Sequence, residues 1–459
     1  MAKVNVPRKK EVVYTHEGAI TSKVTAKEEL HRAVMACLLW EDHFYESGIN
    51  ITKRIASLVP KVKPETVAAM AVEAREKMKL RHIPLFLVRE MVRHDKYKAY
   101  VKDCLAQIIQ RPDELTEFLA IYWKDGKQPL AASVKKGLAK AFGKFDEYQL
   151  AKYNRDGAVK LRDVMFLCHP TPVDREQEEL WKKLAKDELQ TPDTWEVNLS
   201  AGKDKKKTFE RLIQEGKLGA MALLRNLRNM SEAGVDELLV HKALMKANYS
   251  RVLPFRFITA AKAVPKWELL LEEPFIKCTE HYQKLPGKTI LIIDVSGSMY
   301  GNPVSEKATI TRADVACALG ALVRELCEYP VIYATAGNDG TGVHATKEVP
   351  ARRSFALIDA IFNMCHPLGG GGIFLRQVMN FVFEKERTAD RIIVITDEQD
   401  CDNNGVEGAP AKAKAFGTHN YIINVASYEH GIAYSKWTHI TGWSESVLDY
   451  IRESEKAFN

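Results

Sequence analysis

Two short, unbroken apolar runs constrain the fold of this chain more than any other feature. Thr289-Ile-Leu-Ile-Ile-Asp294 and Arg391-Ile-Ile-Val-Ile-Thr-Asp397 each close on an aspartate. Runs this short and this continuous are strands buried on both faces, as in a parallel sheet covered by helices. Helical text at Ala313–Glu328, Ser354–Cys365 and Phe374–Phe383 alternates with further strand text at Val331–Ala334 and Tyr421–Ala426. That alternation predicts a doubly wound α/β domain over residues 287–459. Ligands of such sheets sit beyond the carboxyl ends of the strands, where Asp294 and Asp397 both fall.

The preceding text has a different period. From about Lys23 to Lys284 one amphipathic helical pattern follows another, with almost no strand-like alternation. Pro64 to Leu80 is typical, with proline early, acids next and apolar residues at three and four spacing. The pieces His82–His94, Val101–Trp123, Val134–Phe142 and Leu161–His169 repeat it, broken at Arg-Pro-Asp, Asp-Gly-Lys-Gln-Pro and Arg-Asp-Gly. Helix pairs joined by short turns stack into a curved array, because no pair buries its apolar face alone. No fixed repeat length is visible, so an irregular helical bundle is the alternative. A chain of 459 residues exceeds one hydrophobic core. The expected division is an N-terminal segment over 1–22, a helical module over 23–286 and the α/β domain.

Charge is divided along the same line. Residues 1–286 carry 51 Lys and Arg against 39 Asp and Glu, and the remainder carries 16 against 21. A basic front and an acidic back assign any polyanionic partner to the helical module. No stretch is long and apolar enough to span a membrane, and the polar start lacks the apolar core of a secretory signal, so a soluble, cytoplasmic protein with no membrane partner is expected. The eight cysteines include no Cys-x-x-Cys pair and read as reduced core residues.

The first strand runs into Asp294-Val-Ser296-Gly-Ser298, a carboxylate and two hydroxyls at alternate positions. Hard oxygen donors of this kind suit Mg²⁺ or Mn²⁺, with Asp397 approaching from the neighbouring strand. The alternative is a hydrogen-bonded strand-exit turn that caps the next helix. The Asp-x-Ser-x-Ser spacing resembles the metal-ion-dependent adhesion site of von Willebrand factor A domains, over Gly287 to about Ala426. In that family a threonine from a Gly-Gly-Thr-Asp loop completes the metal shell. Here the loop reads Gly369-Gly-Gly-Gly-Ile373-Phe374, and isoleucine donates no oxygen. The glycine run lacks the Lys-Ser/Thr of a phosphate-binding loop. Glu398, Asp400 and Asp402 read as a solvated surface turn.

Cations gather in the helical module. Lys152, Tyr153, Arg155, Lys160, Arg162 and His169 follow one another through a turn and a helix; Lys203, Lys205, Lys206 and Lys207 crowd one loop; Arg225, Asn226, Arg228 and Asn229 recur on one helix. Lysine and arginine neutralise phosphates, and an adjacent aromatic ring can stack a base. Each patch alone could equally be a solvated or ion-paired face. Taken in order, Lys160-Leu-Arg-Asp-Val-Met-Phe-Leu-Cys-His169-Pro, Ala222-Leu-Leu-Arg-Asn-Leu-Arg-Asn-Met230 and the A-type domain resemble the Ro autoantigen family, whose helical part is the TROVE module.

That resemblance implies a ring of HEAT-like α-helical repeats closed by the A domain. It also implies a non-catalytic protein that binds small structured Y RNAs on its outer face and single-stranded 3′ ends of misfolded RNAs in its central hole. Lys152 and His169 fall on the family's RNA contacts, and Arg155 is displaced from one by a single residue. Bacterial relatives work with exoribonucleases such as polynucleotide phosphorylase, and the divergent Gly369 loop points to a bacterial or phage member. Lys160, Arg162, Arg225 and Arg228 complete the expected RNA-contacting set. The competing class is a protein-interaction module, in which a metal on Asp294, Ser296, Ser298 and Asp397 accepts a partner carboxylate. No nucleophile is paired with a base, so an enzyme is not expected.

Overall fold

The computed structural model describes residues 13–14, 20–21, 25–35, 48–154, 157–250, 252, 255–277, 279–280, 283–301, 303, 310–402, 415–426, 437–442, 451 and 455. A short hairpin, β1 (Val13–Tyr14) with β2 (Ile20–Thr21), precedes the helices. Among the described residues from Ala26 to Lys277, every regular element is a helix. Pro64 opens its helix at the first position, where a missing N–H costs nothing, and that helix stops at Glu76 rather than Leu80. The expected Val101–Trp123 piece is two helices, Lys98–Ile108 and Pro112–Tyr122, divided at Arg111-Pro112. Helices pack on others one or two places along the chain: Pro64–Glu76 on His82–Val92, Lys98–Ile108 on Ala132–Phe142, and Ala132–Phe142 on Leu161–Cys168.

The sheet begins at Leu285. Its strands are β3 (Leu285–Asp294), β4 (Cys327–Asn338), β5 (Val343–Glu348), β6 (Ala389–Thr396), β7 (Gly417–Asn424) and β8 (Thr438–Thr441), in the order β5-β4-β3-β6-β7-β8. All pairs are parallel except β4 with β5. The order reverses between β3 and β6, which places Asp294 and Asp397 at the switch point.

The hydrophobic core does not divide where the periodicity changes. One cluster runs from Leu30 to Leu184, through Phe86, Phe118, Phe142 and Trp181. A second begins at Phe209 and joins the later helices to the sheet, with Phe275 packed on Phe355 at 5.6 Å between ring centroids. The remaining face of the sheet is filled by a third, around Ile290, Ile292, Ile373 and Val394.

The chain closes on itself. The helix Ala26–Met35 lies against β8, and Arg32 from that helix forms a buried ion pair with Glu398, just beyond β6. His439 of β8 joins them, its Nδ1 2.9 Å from Glu398 Oε1. A Cβ on Gly442, where φ is +98°, would sit 2.5 Å from the Met35 carbonyl oxygen, so only glycine admits this approach. On the other side, the helix Phe255–Ala263 packs on Arg312–Leu326, and Lys262 donates to both oxygens of Asp314 at 2.7 and 2.8 Å. The architecture is therefore a helical ring whose two ends meet on one α/β domain of the A type.

Candidate functional site

The four residues expected to share a site do converge. Asp294 Oδ1 accepts the Ser296 backbone N–H at 2.8 Å, and its Oδ2 accepts the Thr396 hydroxyl at 2.6 Å. The Ser296 and Ser298 hydroxyls lie 3.2 Å apart, and Ser298 donates to Asp397 Oδ2 at 2.8 Å. Burial, reinforced by the charge of Asp397, pushes the Asp294 carboxyl up to about 7. Ser296 also sits at the cap position of the short helix Gly297–Tyr300, but its hydroxyl is turned to Ser298 and caps no backbone N–H.

A divalent ion finds an incomplete shell in these residues. Ile373 is fully buried in the apolar cluster and offers no oxygen. The glycine loop before it serves close packing, with the Gly297 N–H donating to the Gly371 carbonyl at 3.1 Å. Arg312, only 2% exposed, brings a guanidinium nitrogen to 3.5 Å from Asp397 Oδ2. A fixed cation thus already stands beside the carboxylate where the ion's charge would act. The donor set therefore does not fit the divalent shell that the motif suggests.

The acidic loop after β6 is not a solvated turn. Glu398, Asp400 and Asp402 are all buried. Burial opposes ionisation of Glu398, but Arg32 and His439 outweigh it and hold the carboxyl below its usual range. Asp400 accepts the backbone N–H groups of Leu375 and Asp402 at 3.3 and 3.0 Å, and Asp402 meets Arg376 at 3.2 Å. The side-chain partners lie 26 to 366 residues away in sequence, beyond the reach of local pattern.

The first basic patch spans two helices, Glu147–Tyr153 and Leu161–Cys168. Lys152 is half-buried at the end of Glu147–Tyr153, with its Nζ 5.9 Å from the centroids of both Tyr148 and Tyr153. Lys160 occupies the N-cap position of Leu161–Cys168, and His169 ends that helix, exposed, with a left-handed φ of 47°. Arg162 donates to Asp187 at 2.9 Å, and Asp187 also accepts from Asn154 at 3.1 Å, which ties the two helix ends together. Arg155 lies outside the described residues. Arg225 and Arg228 are exposed on Ala220–Glu232, Arg228 3.8 Å from Glu232. Their helix belongs to the second core and packs on different neighbours, so the structure does not merge the two patches. The lysines read as one loop are instead split: Lys205, Lys206 and Lys207 form the first turn of Lys205–Gln214, capped by Asp204. The cap satisfies the Lys207 N–H and offsets three cations at a positive helix end.

Two aromatic residues escaped the sequence reading. Phe166 is 57% exposed and Tyr148 51% exposed, although residues of this size are usually covered. The signal was present in the spacing, since Phe166 lies four residues after Arg162 and three before His169, on one helical face.

A closed helical ring carrying an A-type domain, with cations and open aromatic rings on its helices, defines a class of RNA-binding ring proteins. The TROVE domain matches residues 2–187 and again 185–339, and the chain belongs to this family of RNA-binding ribonucleoprotein components, that of the Ro autoantigen. Telomerase protein component 1 of Mus musculus is 38% identical over 89 residues, 18% of this chain and 3% of that protein. Its Rattus norvegicus counterpart is 24% identical over 307 residues, covering 47% of this chain and 12% of that protein. The chain thus spans a small fraction of these curated relatives. The crystal structure of the Deinococcus radiodurans RO (RSR) protein superposes with a TM-score of 0.58 and 15% identity, over 93% of this chain and 98% of that one. At that identity the likeness is one of fold.

Proposed function

We propose that the chain is a non-catalytic, cytoplasmic scaffold for noncoding RNA. It binds small structured, Y-like RNAs through the Lys152–His169 patch, admits single-stranded 3′ ends of misfolded RNAs to the ring, and hands them to an exoribonuclease such as polynucleotide phosphorylase. The observation that carries this reading is the placing of Lys152, Lys160, Arg162 and His169 on two helices joined through Asp187, with Tyr148 and Phe166 exposed on those same helices. Cations positioned with exposed rings engage phosphates and unstacked bases rather than the base edges of a duplex. Membership of the TROVE family supports the same reading.

The test is a gel-shift titration with a structured RNA bearing a single-stranded 3′ tail, against the same duplex without it, at low and high salt. Tight, salt-sensitive, tail-dependent binding is expected. Replacing Lys152 and His169 together by alanine should weaken binding and flatten the salt dependence by a slope of about one for the lost lysine contact. Unchanged affinity in the double variant would remove the patch from the interface. Metal-mediated docking of a partner carboxylate is the weaker reading, because Ile373 and Arg312 leave the strand-end site without a complete ion shell.

A further inference from the structure

We infer that β5 is a docking edge for a second copy of this chain, the two β5 strands pairing antiparallel about a two-fold axis at Thr346. The inference stands apart from the RNA-binding reading. The two edges of the sheet differ. β8 lies against the helix Ala26–Met35, whereas β5 has only exposed and half-buried residues, with Val343 52% exposed.

The bonding pattern shows which backbone groups β5 leaves open. On the β4 side, the Val349 N–H donates to the Ile332 carbonyl at 2.8 Å, and the Ala345 carbonyl accepts from the Thr335 hydroxyl at 3.4 Å. With Thr346 in register with Thr335, Ala345 and Lys347 bond towards β4, while His344, Thr346 and Glu348 face outward. The His344 N–H accordingly donates to Gln377 Oε1 at 3.1 Å, and the Gln377 amide donates in turn to the Gly342 carbonyl at 2.9 Å. Gln377 thus closes one end of the edge. Past it, Thr346 and Glu348 turn their N–H and carbonyl groups away from the sheet, to no partner among the described residues. Such a row is a template for another strand.

The sequence of the edge selects its occupant. Val343-His-Ala-Thr346-Lys-Glu-Val349 is self-complementary when turned on itself about Thr346. Thr346 then faces Thr346 of the second copy, His344 faces Glu348, Ala345 faces Lys347 and Val343 faces Val349. A threonine pair and a histidine opposite a carboxylate are favourable cross-strand neighbours, and no like charges stand directly opposite. Moving the axis to Lys347 or Glu348 sets like charges face to face. Moving it to Ala345 sets the Glu348 N–H against the Gly342 carbonyl that Gln377 already holds. In the Thr346 register Pro350 falls opposite Gly342, and proline has no N–H to offer that carbonyl, so Gln377 supplies the donor that the ladder lacks. Two bonds between the threonines and one from each Glu348 N–H to a His344 carbonyl form without disturbing Gln377.

The experiment uses the full chain. Sedimentation velocity should show a dimer that forms over roughly 1–100 µM and dissociates on dilution, as a short edge contact allows. Cysteine variants oxidised at a dimer-forming concentration read the register. Opposed residues of a hydrogen-bonded antiparallel pair have Cα atoms about 5.5 Å apart, within disulfide range, so Thr346→Cys should give a covalent dimer that wild type does not. Glu348→Cys, whose two copies would stand about 14 Å apart, should give none. Thr346→Pro removes an outward N–H and no bond to β4, so it should leave the sheet intact and abolish the dimer. A wild-type chain that stays monomeric at about 100 µM overturns the proposal without any variant having to fold. A dimer that survives Thr346→Pro, or one that Thr346→Cys and Glu348→Cys cross-link equally, overturns it as well, since the contact then lies elsewhere on the surface.

Discussion

At the scale of single residues, Ile373 and Arg312 alter what the strand-end motif can do. A unit charge about 4 Å away is worth ~4 kcal/mol at an effective dielectric constant of about 20, so a guanidinium beside Asp397 strongly opposes a second cation. Replacing both, Ile373→Thr with Arg312→Gln, should tighten Mg²⁺ binding at least about tenfold in a calorimetric titration. No gain would mean that the turn is purely structural. Asp193 is a second informative residue, since Arg211, Asn198 and Lys217 all donate to it at 2.8 to 2.9 Å. These donors, Arg211 foremost, hold its carboxyl far below the usual carboxylate range. A depressed acid stabilises the fold above its unfolded pKa, and that contribution is lost as pH falls through the folded one. Asp193→Asn should therefore cost about 0.5–1 kcal/mol in urea unfolding at pH 7, a small figure because the group is solvent-screened. The difference from wild type should shrink as the pH drops below 3.8.

At the scale of elements, close backbone approaches hold the site together. A Cβ on Gly297 would lie 2.8 Å from the Gly370 carbonyl oxygen, so Gly297→Ala should cost about 1–3 kcal/mol by chemical denaturation, with the glycine loop displaced. The elements that were legible in sequence are those whose pattern is set locally. β3 and β6 are continuous apolar runs because both faces are covered, and the Asp-x-Ser-x-Ser turn follows from its own spacing. β5 was missed because it is an antiparallel edge with no buried residue, and Val-His-Ala-Thr-Lys-Glu carries no burial signal. β8 was missed because it has four residues. The acidic loop was misread for a different reason: charge in sequence implies solvent unless a partner is known, and Arg32, Arg376 and His439 come from elsewhere in the chain. Exposed Phe166 and Tyr148 were hidden among residues that normally form core.

At the scale of the whole molecule, the ring depends on its seam. Arg32 and Glu398 are both buried, so Arg32→Met leaves a buried carboxylate with His439 alone and should cost about 3–5 kcal/mol. The double change Arg32→Met with Glu398→Leu should recover part of that loss. Hydrogen exchange over Ala26–Met35 would report the opening directly, rising in the single variant and falling back in the double. Glu398 holds a left-handed φ of 61°, a conformation that a non-glycine residue keeps only when its surroundings impose it. The seam also imposes an order on synthesis. Arg32 and Glu398 stand 366 positions apart, so at roughly 5–20 residues per second the arginine is joined to the chain about 20–70 s before its carboxylate exists. Through that interval the nascent helical arc has no closing partner, and a transcript near the ribosome could lie across the open circle before its last strand is made.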